Sequence, residues 1–298
     1  MKITSANMAI ILEPPRLDDI SFWAANNSRK SLRMLRLDLI HPVVSGNKLF
    51  KLKYNIEAAK AAGKSTLLSF GGGHSNHLVA LAAAAEMNGM KSIGLVRGHY
   101  AESEMTKTLQ SCLSYGMQLQ FLTKAEYAAE AYKPTDLLAQ KFPEAYLIPE
   151  GGVNENGLRG AAEIASYIPH ETTHVCVAVG TGTTLAGLQQ ALPKEVTLLG
   201  FCAAKQCDLA KSLTENISGK RSPEILPMLD PRFGKWQPEL LEFMHDFKEK
   251  TSIETDVVYT GKMMQKMKAM LMAGYFPASA NILCIHTGGL QGNPDGLL

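Results

Sequence analysis

Cysteine is scarce in this chain of 298 residues, and the few present do not pair by spacing: Cys112, Cys176, Cys202, Cys207 and Cys284 are odd in number and form no CxxC. That argues against a disulfide framework and a cysteine zinc site, and predicts reduced, mostly buried thiols of a cytoplasmic protein. An excess of one charge is lacking too. Thirty Lys and Arg face 28 Asp and Glu, a formal net charge of +2, so no long-range field draws nucleic acid or an anionic membrane. No apolar run reaches membrane-spanning length, and the N-terminus has no basic-then-apolar leader. Internal repeats and low-complexity tracts are also missing. What is present is an ordinary globular balance, 46% hydrophobic and 19% charged, with length enough for one large or two ordinary domains.

The pattern along the chain alternates strand and helix. Residues 1–30 are expected to be irregular, with Pro14-Pro15 breaking any helix. Strands are expected at Leu32–Leu39, Thr66–Phe70, Ser92–Val96, Gln118–Leu122, Ala145–Ile148, Val175–Val179, Val196–Ala203 and Ile282–Ile285, and at Val257–Lys262. Helices are expected at about Phe50–Ala62, Leu78–Met87, Glu102–Tyr115, Asn154–Tyr167, Leu185–Ala191 and Met263–Met272. Two more fall within 204–256, around a proline-rich connection. Such alternation argues an open α/β protein with parallel sheets and helices on both faces.

The organising stretch is Ser45-Gly46-Asn47-Lys48, a small flexible turn that delivers a lysine to the start of an amphipathic helix. Positive partial charge at a helix N-terminus, with Lys51 and Lys53 nearby, lowers the pKa of a buried amine. A neutral lysine amine is the form that attacks carbonyl carbon. A solvated, lysine-rich helix start fits the spacing as well. Four turns carry small or hydroxyl residues where a strand is expected to hand over to a helix: Gly71–His77, Gly180–Thr184, Tyr259–Lys262 and His286–Gly289. In α/β sheets ligands bind at the carboxyl ends of strands, where such turns cluster. Gly180-Thr181-Gly182-Thr183-Thr184 suits a phosphate, because glycines admit close backbone approach at a helix N-terminus. A tight turn with no ligand is the alternative. The loop lacks a Walker lysine and the GxGxxG spacing. Ser75-Asn76-His77 opens its helix in the same way, either for a carboxylate or with Ser75 as a plain N-cap. His74 and His77 lack a third ligand for a metal. Met263, Met264, Met267 and Met270 are spaced as core on a helix face.

In this order, these motifs resemble the fold-type II pyridoxal-phosphate enzymes, and within them the D-cysteine desulfhydrases and 1-aminocyclopropane-1-carboxylate deaminases. The resemblance runs from Arg36-Leu37-Asp38-Leu39 to the last glycines. It rests on Gly46-Asn47-Lys48 with Lys51-Leu52, Ser75-Asn76-His77, Ile148-Pro149 with Gly151-Gly152, Gly180–Thr184 with Ala186-Gly187-Leu188, Tyr259–Lys262 and His286–Gly289. It implies a two-domain, tryptophan synthase β-like fold. A small domain, about 51–150, would be inserted into a large one made of 1–50 and 151–298, with pyridoxal 5'-phosphate in the cleft. It further implies that Lys48 carries the cofactor and moves the substrate α-proton, with Ser75 and Tyr259 as further catalytic groups. Gly180, Thr181, Gly182, Thr183 and Thr184 would hold the phosphate, Asn76 the ring hydroxyl, and Thr287 the pyridine nitrogen. Ser75, Asn76 and His77 would face a small amino-acid substrate, and the protein would be a cytoplasmic homodimer.

Three departures shape the expected activity. Thr260 stands where the deaminase branch has glutamate, Phe233-Gly234 aligns where the family usually has a tyrosine, and His74 replaces a glutamine. Opening a cyclopropane has no α-proton to remove and needs more acid-base help. The expectation is therefore a lyase most like D-cysteine desulfhydrase. Its rivals are the cyclopropane-acid deaminase and, from another class, a non-catalytic pyridoxal-phosphate carrier.

Overall fold

The computed structural model describes residues 13–24, 31–131, 135–204, 207–215, 217 and 219–293. The chain first lays down β1 (Arg16–Asp19) and β2 (Ser31–Arg36). It then builds one compact unit from residues 41–160, and a second from 161 onward joined to residues 13–40. These divisions fall ten residues before and ten after the boundaries expected at 50 and 150, so the helix bearing Lys48 belongs entirely to the first unit.

The first unit contains α1 (Asn47–Ala61), β3 (Thr66–Gly71), α2 (Asn76–Met87), β4 (Lys91–Arg97), α3 (Tyr100–Ser103), α4 (Lys107–Ser114), β5 (Met117–Leu122), α5 (Lys124–Glu130), α6 (Asp136–Lys141), β6 (Ala145–Ile148) and most of α7 (Glu155–Ala162). Its sheet runs β5-β4-β3-β6, all parallel. Every residue of β3 is buried, as a central parallel strand covered on both faces requires. Leu68, Phe70, Leu95, Tyr127 and Ala131 form the core on one face.

The second unit adds β7 (His174–Val179), α8 (Thr183–Ala191), β8 (Thr197–Cys202), α9 (Asp208–Thr214), β9 (Glu224–Pro227), α10 (Pro238–Thr251), α11 (Thr260–Met272) and β10 (Asn281–His286). Its sheet runs β1-β2-β10-β7-β8-β9, parallel except for the β1 edge. Met263, Met264, Met267 and Met270 are buried in a core with Phe201, Phe247 and Cys284, as the helical spacing predicts.

In each sheet the strand order reverses once. Between β3 and β6 it does so beside the loop after Gly71 and the Pro149–Gly152 turn; between β7 and β10, beside Gly180–Gly182 and Thr287–Gly289. Open α/β sheets bind ligands at such switch points. Most of the motif loops therefore stand where the topology makes crevices.

Three expectations are corrected. Arg16–Asp19 is a strand, paired antiparallel with β2, within the stretch expected to be irregular; residues 1–12 and 25–30 of that stretch lie outside the described residues. Val257-Val258-Tyr259 is a turn, not a strand, and Thr260-Gly261-Lys262 belong to α11. Val257 and Val258 are apolar because they pack with Leu240, Met244 and Trp236, not because they join a ladder. Cys202 and Cys207 form a disulfide across five positions. Their Cα atoms stand 6.2 Å apart, inside the span a disulfide bridges, while Cys112, Cys176 and Cys284 are free and buried as expected.

Candidate active site

In the first unit, α1 starts three residues earlier than periodicity predicts, and Lys48 sits in its first turn. The N-cap is Gly46 at φ 65°, with no side chain capping the helix. A residue with a Cβ is strained there, so the glycine sets the entry of the chain into the helix. Lys48 is half-buried. One turn on, Lys51 is buried and donates from Nζ to the Gly151 carbonyl at 2.9 Å. Burial first, and the Lys48 charge second, pull the Lys51 amine down to about 7. Behind α1, Gly160 allows close approach: a Cβ there would collide with the Phe50 carbonyl.

The Ser75-Asn76-His77 segment opens α2. Ser75 is its N-cap, accepting from Leu78 N at 3.3 Å, and Ser75 and Asn76 are half-buried. His77 turns inward. Ser69 Oγ donates to the Ile148 carbonyl at 2.8 Å and meets His77 Nε2 at 2.9 Å, so Nε2 must carry the hydrogen. Nδ1 is then a bare acceptor, without a partner among the described residues. Burial, with the Lys51 and Lys48 charges, holds the ring neutral by taking its pKa to about 3.

In the second unit, Gly182 at φ 95° is the N-cap of α8, again with no capping side chain. A Cβ on Gly182 would lie 2.5 Å from Ala210 Cα, so α9 packs directly against the loop. Thr181 and Thr183 hydroxyls are 3.2 Å apart, and Thr183 and Thr184 are buried. A Cβ on Gly180 would lie 3.2 Å from the Tyr259 hydroxyl; the structure thus brings Tyr259 to the loop expected to hold phosphate.

Tyr259 itself is set by a residue that pattern reading missed. Asp256 accepts from the backbone N–H of Val258, Tyr259 and Thr260 at 3.0, 2.8 and 2.8 Å, a carboxylate capping the N-terminus of α11. An aspartate just ahead of a helical pattern is the signal that was available. Lys262 was legible as a motif letter but not as a clamp. It is buried, and its Nζ donates to the carbonyls of Asp230, Arg232 and Lys235 at 3.0, 2.9 and 2.6 Å. That loop presents Phe233, half-exposed, edge-on to the Tyr259 ring at 6.0 Å and 72°. Thr260 is fully buried, and its hydroxyl has no partner among the described residues.

Thr287 is buried at the end of β10, followed by Gly288 and Gly289 at φ 75° and 99°. Gly288 N donates to His286 Nδ1 at 3.2 Å, so His286 Nε2 carries the hydrogen that meets the Glu254 carbonyl at 2.7 Å. Asp38, 3.5 Å from Nδ1, finds its countercharge in Arg36 at 2.6 Å.

No group of His, Cys, Asp and Glu among the described residues can hold a metal ion, and no helix of the described residues is long and apolar enough to cross a membrane. A relative in Pyrococcus horikoshii, whose name assigns it provisionally to 1-aminocyclopropane-1-carboxylate deaminase, is 26% identical over 313 aligned residues, covering 95% of this chain and 94% of its own. A crystal structure described as an ACC deaminase homologue superposes with a TM-score of 0.80 at 24% identity, over 96% of this chain and 92% of that one. A hydrogen sulfide-producing enzyme of Fusobacterium nucleatum shares the fold at a TM-score of 0.67 and 13% identity, over 94% of this chain and 97% of that one. The profile of the family described as pyridoxal-phosphate dependent enzyme matches residues 24–288, and the chain belongs to that family: a fold-type II enzyme, of the lyase and deaminase kind, that uses pyridoxal 5'-phosphate on small amino acids.

Proposed function

We propose that the protein eliminates the β-substituent of a small amino acid, most like a D-cysteine desulfhydrase: D-cysteine and water give pyruvate, ammonia and sulfide. The residues present fit the cofactor. Two helices, α1 and α8, open on glycine N-caps at positive φ, which suits an anion and an attached carbonyl. Lys48 holds the cofactor and moves the α-proton. Gly180–Thr184 bind its phosphate through backbone N–H and hydroxyl groups, Asn76 meets its ring hydroxyl, and Thr287 its ring nitrogen. Ser75, Asn76 and the α2 N-terminus orient the substrate carboxylate, with the His77 ring bracing that turn from the interior. When bound, the cofactor supplies an electron sink at the substrate α-carbon. The neutral hydroxyl of Thr287 suits a modest sink, enough for expelling a β-leaving group.

The observation that carries elimination over ring opening is the contact of Phe233 with Tyr259, a ring edge where the deaminase reading needs a hydroxyl. The buried Thr260 likewise offers no carboxylate. The names of the Pyrococcus relatives favour the second reading, ring opening of 1-aminocyclopropane-1-carboxylate to 2-oxobutyrate and ammonia. Keto-acid formation from D- and L-cysteine, D- and L-serine, β-chloroalanine and the cyclopropane acid separates them. D-cysteine or another β-substituted alanine should turn over at least tenfold faster than the cyclopropane acid. The reverse order would assign the protein to ring opening, and no turnover of any of them would leave a carrier. Three buried free thiols fit a reducing, cytoplasmic setting, whereas the Cys202–Cys207 disulfide points the other way. The homodimer expected from the resemblance is checked by sizing in solution.

A further inference from the structure

Arg97 ends β4 at the carboxyl edge of the first unit's sheet, directly beside the loop that opens α2. β4 pairs with β3 up to Gly71↔Val96, so the next residues of both strands emerge side by side: Gly72 on one, Arg97 on the other. A Cβ on Gly72 would stand 3.7 Å from an Arg97 terminal nitrogen. The guanidinium lies 5.6 Å from the centroid of the Tyr127 ring, a buried residue of α5, a separation at which cation–π attraction acts. Its other face is open to solvent.

No carboxylate among the described residues pairs with Arg97. The loop itself is pinned on its far side, where the Thr106 hydroxyl donates to the Gly73 carbonyl. A guanidinium without a carboxylate partner among the described residues, beside an aromatic ring and a helix N-terminus, presents a fork of donors matched to a planar or tetrahedral oxyanion.

We propose that Arg97 reads a second acidic group on the substrate, so that the preferred substrates are β-substituted alanines whose substituent is anionic, a phosphate ester or a sulfonated thiol. This rests on the elimination reading above, and assigns the α-carboxylate to the Ser75-Asn76 turn and the distal oxyanion to Arg97. In the reaction the Cα–H bond breaks with its proton passing to Lys48. The Cβ–X bond breaks with its electron pair leaving on the anionic group, and water completes the release of pyruvate and ammonia. The guanidinium that binds the distal anion also stabilises the charge it carries away.

The test compares O-phosphoserine and S-sulfocysteine with β-chloroalanine and O-acetylserine, each in both enantiomers, in the holoenzyme and in Arg97→Gln and Arg97→Lys. A second arm titrates malonate and acetate calorimetrically into the same proteins, so that binding is read without turnover. Wild type should favour the anionic substrates in kcat/KM by at least tenfold. Arg97→Gln should lose 10- to 100-fold on those alone and stay within twofold on the neutral ones, with Arg97→Lys between. Malonate should bind wild type at least tenfold tighter than acetate, and the two should converge in Arg97→Gln. Equal losses on neutral and anionic substrates would show that Arg97 serves the α-carboxylate or the fold, and would overturn the proposal, as would turnover with no anionic preference. Arg97-dependent malonate binding with no elimination from any substituted alanine would instead overturn the elimination reading and leave the anion subsite standing.

Discussion

Two lysines one helical turn apart take different work in the proposed reaction, and the surroundings of Lys51 fit the structural part. Lys51 has the depressed pKa that a nucleophilic amine needs, about 7, yet its Nζ is buried and spent on the Gly151 carbonyl. Lys48, half-buried in the first turn behind the Gly46 N-cap, is the amine proposed to hold the cofactor. Borohydride reduction of the coloured holoenzyme should therefore label Lys48, and Lys48→Ala should lose the label. If Lys48 moves the α-proton as proposed, its loss should lower turnover by on the order of 10²–10⁴-fold. Peptide mapping that finds the label on Lys51 would reverse the division.

At the scale of elements, the loops work because the helices behind them fit closely. Gly182 is required twice, by its positive φ and by Ala210, whose Cα would lie 2.5 Å from any Cβ. Gly182→Val should push α9 and the loop apart, and cofactor content after purification should fall at least tenfold. A folded variant with full cofactor content would place the phosphate elsewhere. The 230–235 loop depends on Lys262 in the same way. Lys262→Met leaves three carbonyls without their donor, each costing about 1–3 kcal/mol if it stays buried. The loop should open instead, and trypsin should cut after Arg232 or Lys235 faster than in wild type; unchanged cleavage would show that the loop holds itself. Much of this level was legible in sequence. Parallel strands buried on both faces read as short apolar runs, and glycine-rich turns mark their carboxyl ends, so the element order and the four motif loops followed from pattern. The anchors did not. The Lys51–Gly151 bond spans 100 residues and Lys262 reaches back about 30, distances over which no periodicity operates. Val257-Val258 misled because a β-branched pair packed under a helix has the same spelling as a short buried strand.

Over the whole molecule, the buried bases make stability a function of pH. Lys51 titrates near 7 in the folded protein against an ordinary 10.5. Between those values the unfolded chain binds a proton that the folded chain does not, so stability rises with pH across that window and is lost as pH falls toward 7. Lys262, also lowered by burial, acts in the same direction. His77 repeats the argument lower down, near 3 against 6.5, and loses its contribution as pH falls through that range. Opposing terms begin higher. Burial pushes the Cys112 thiol up to about 12 from 9, and Tyr275 rises to about 12 from 10, so the unfolded state ionises first and stability falls as pH climbs past 9. The clean window is pH 7.0 to 8.5. Within it the thermal midpoint of wild type should rise, and that of Lys51→Met should rise less, because methionine keeps the packing and removes the proton. The difference between the two slopes isolates Lys51 from Lys262 and from any bound cofactor common to both proteins. Parallel slopes would mean that the Lys51 amine stays charged in the folded state, and that its bond to Gly151 is an ion–dipole contact held against the full cost of burial.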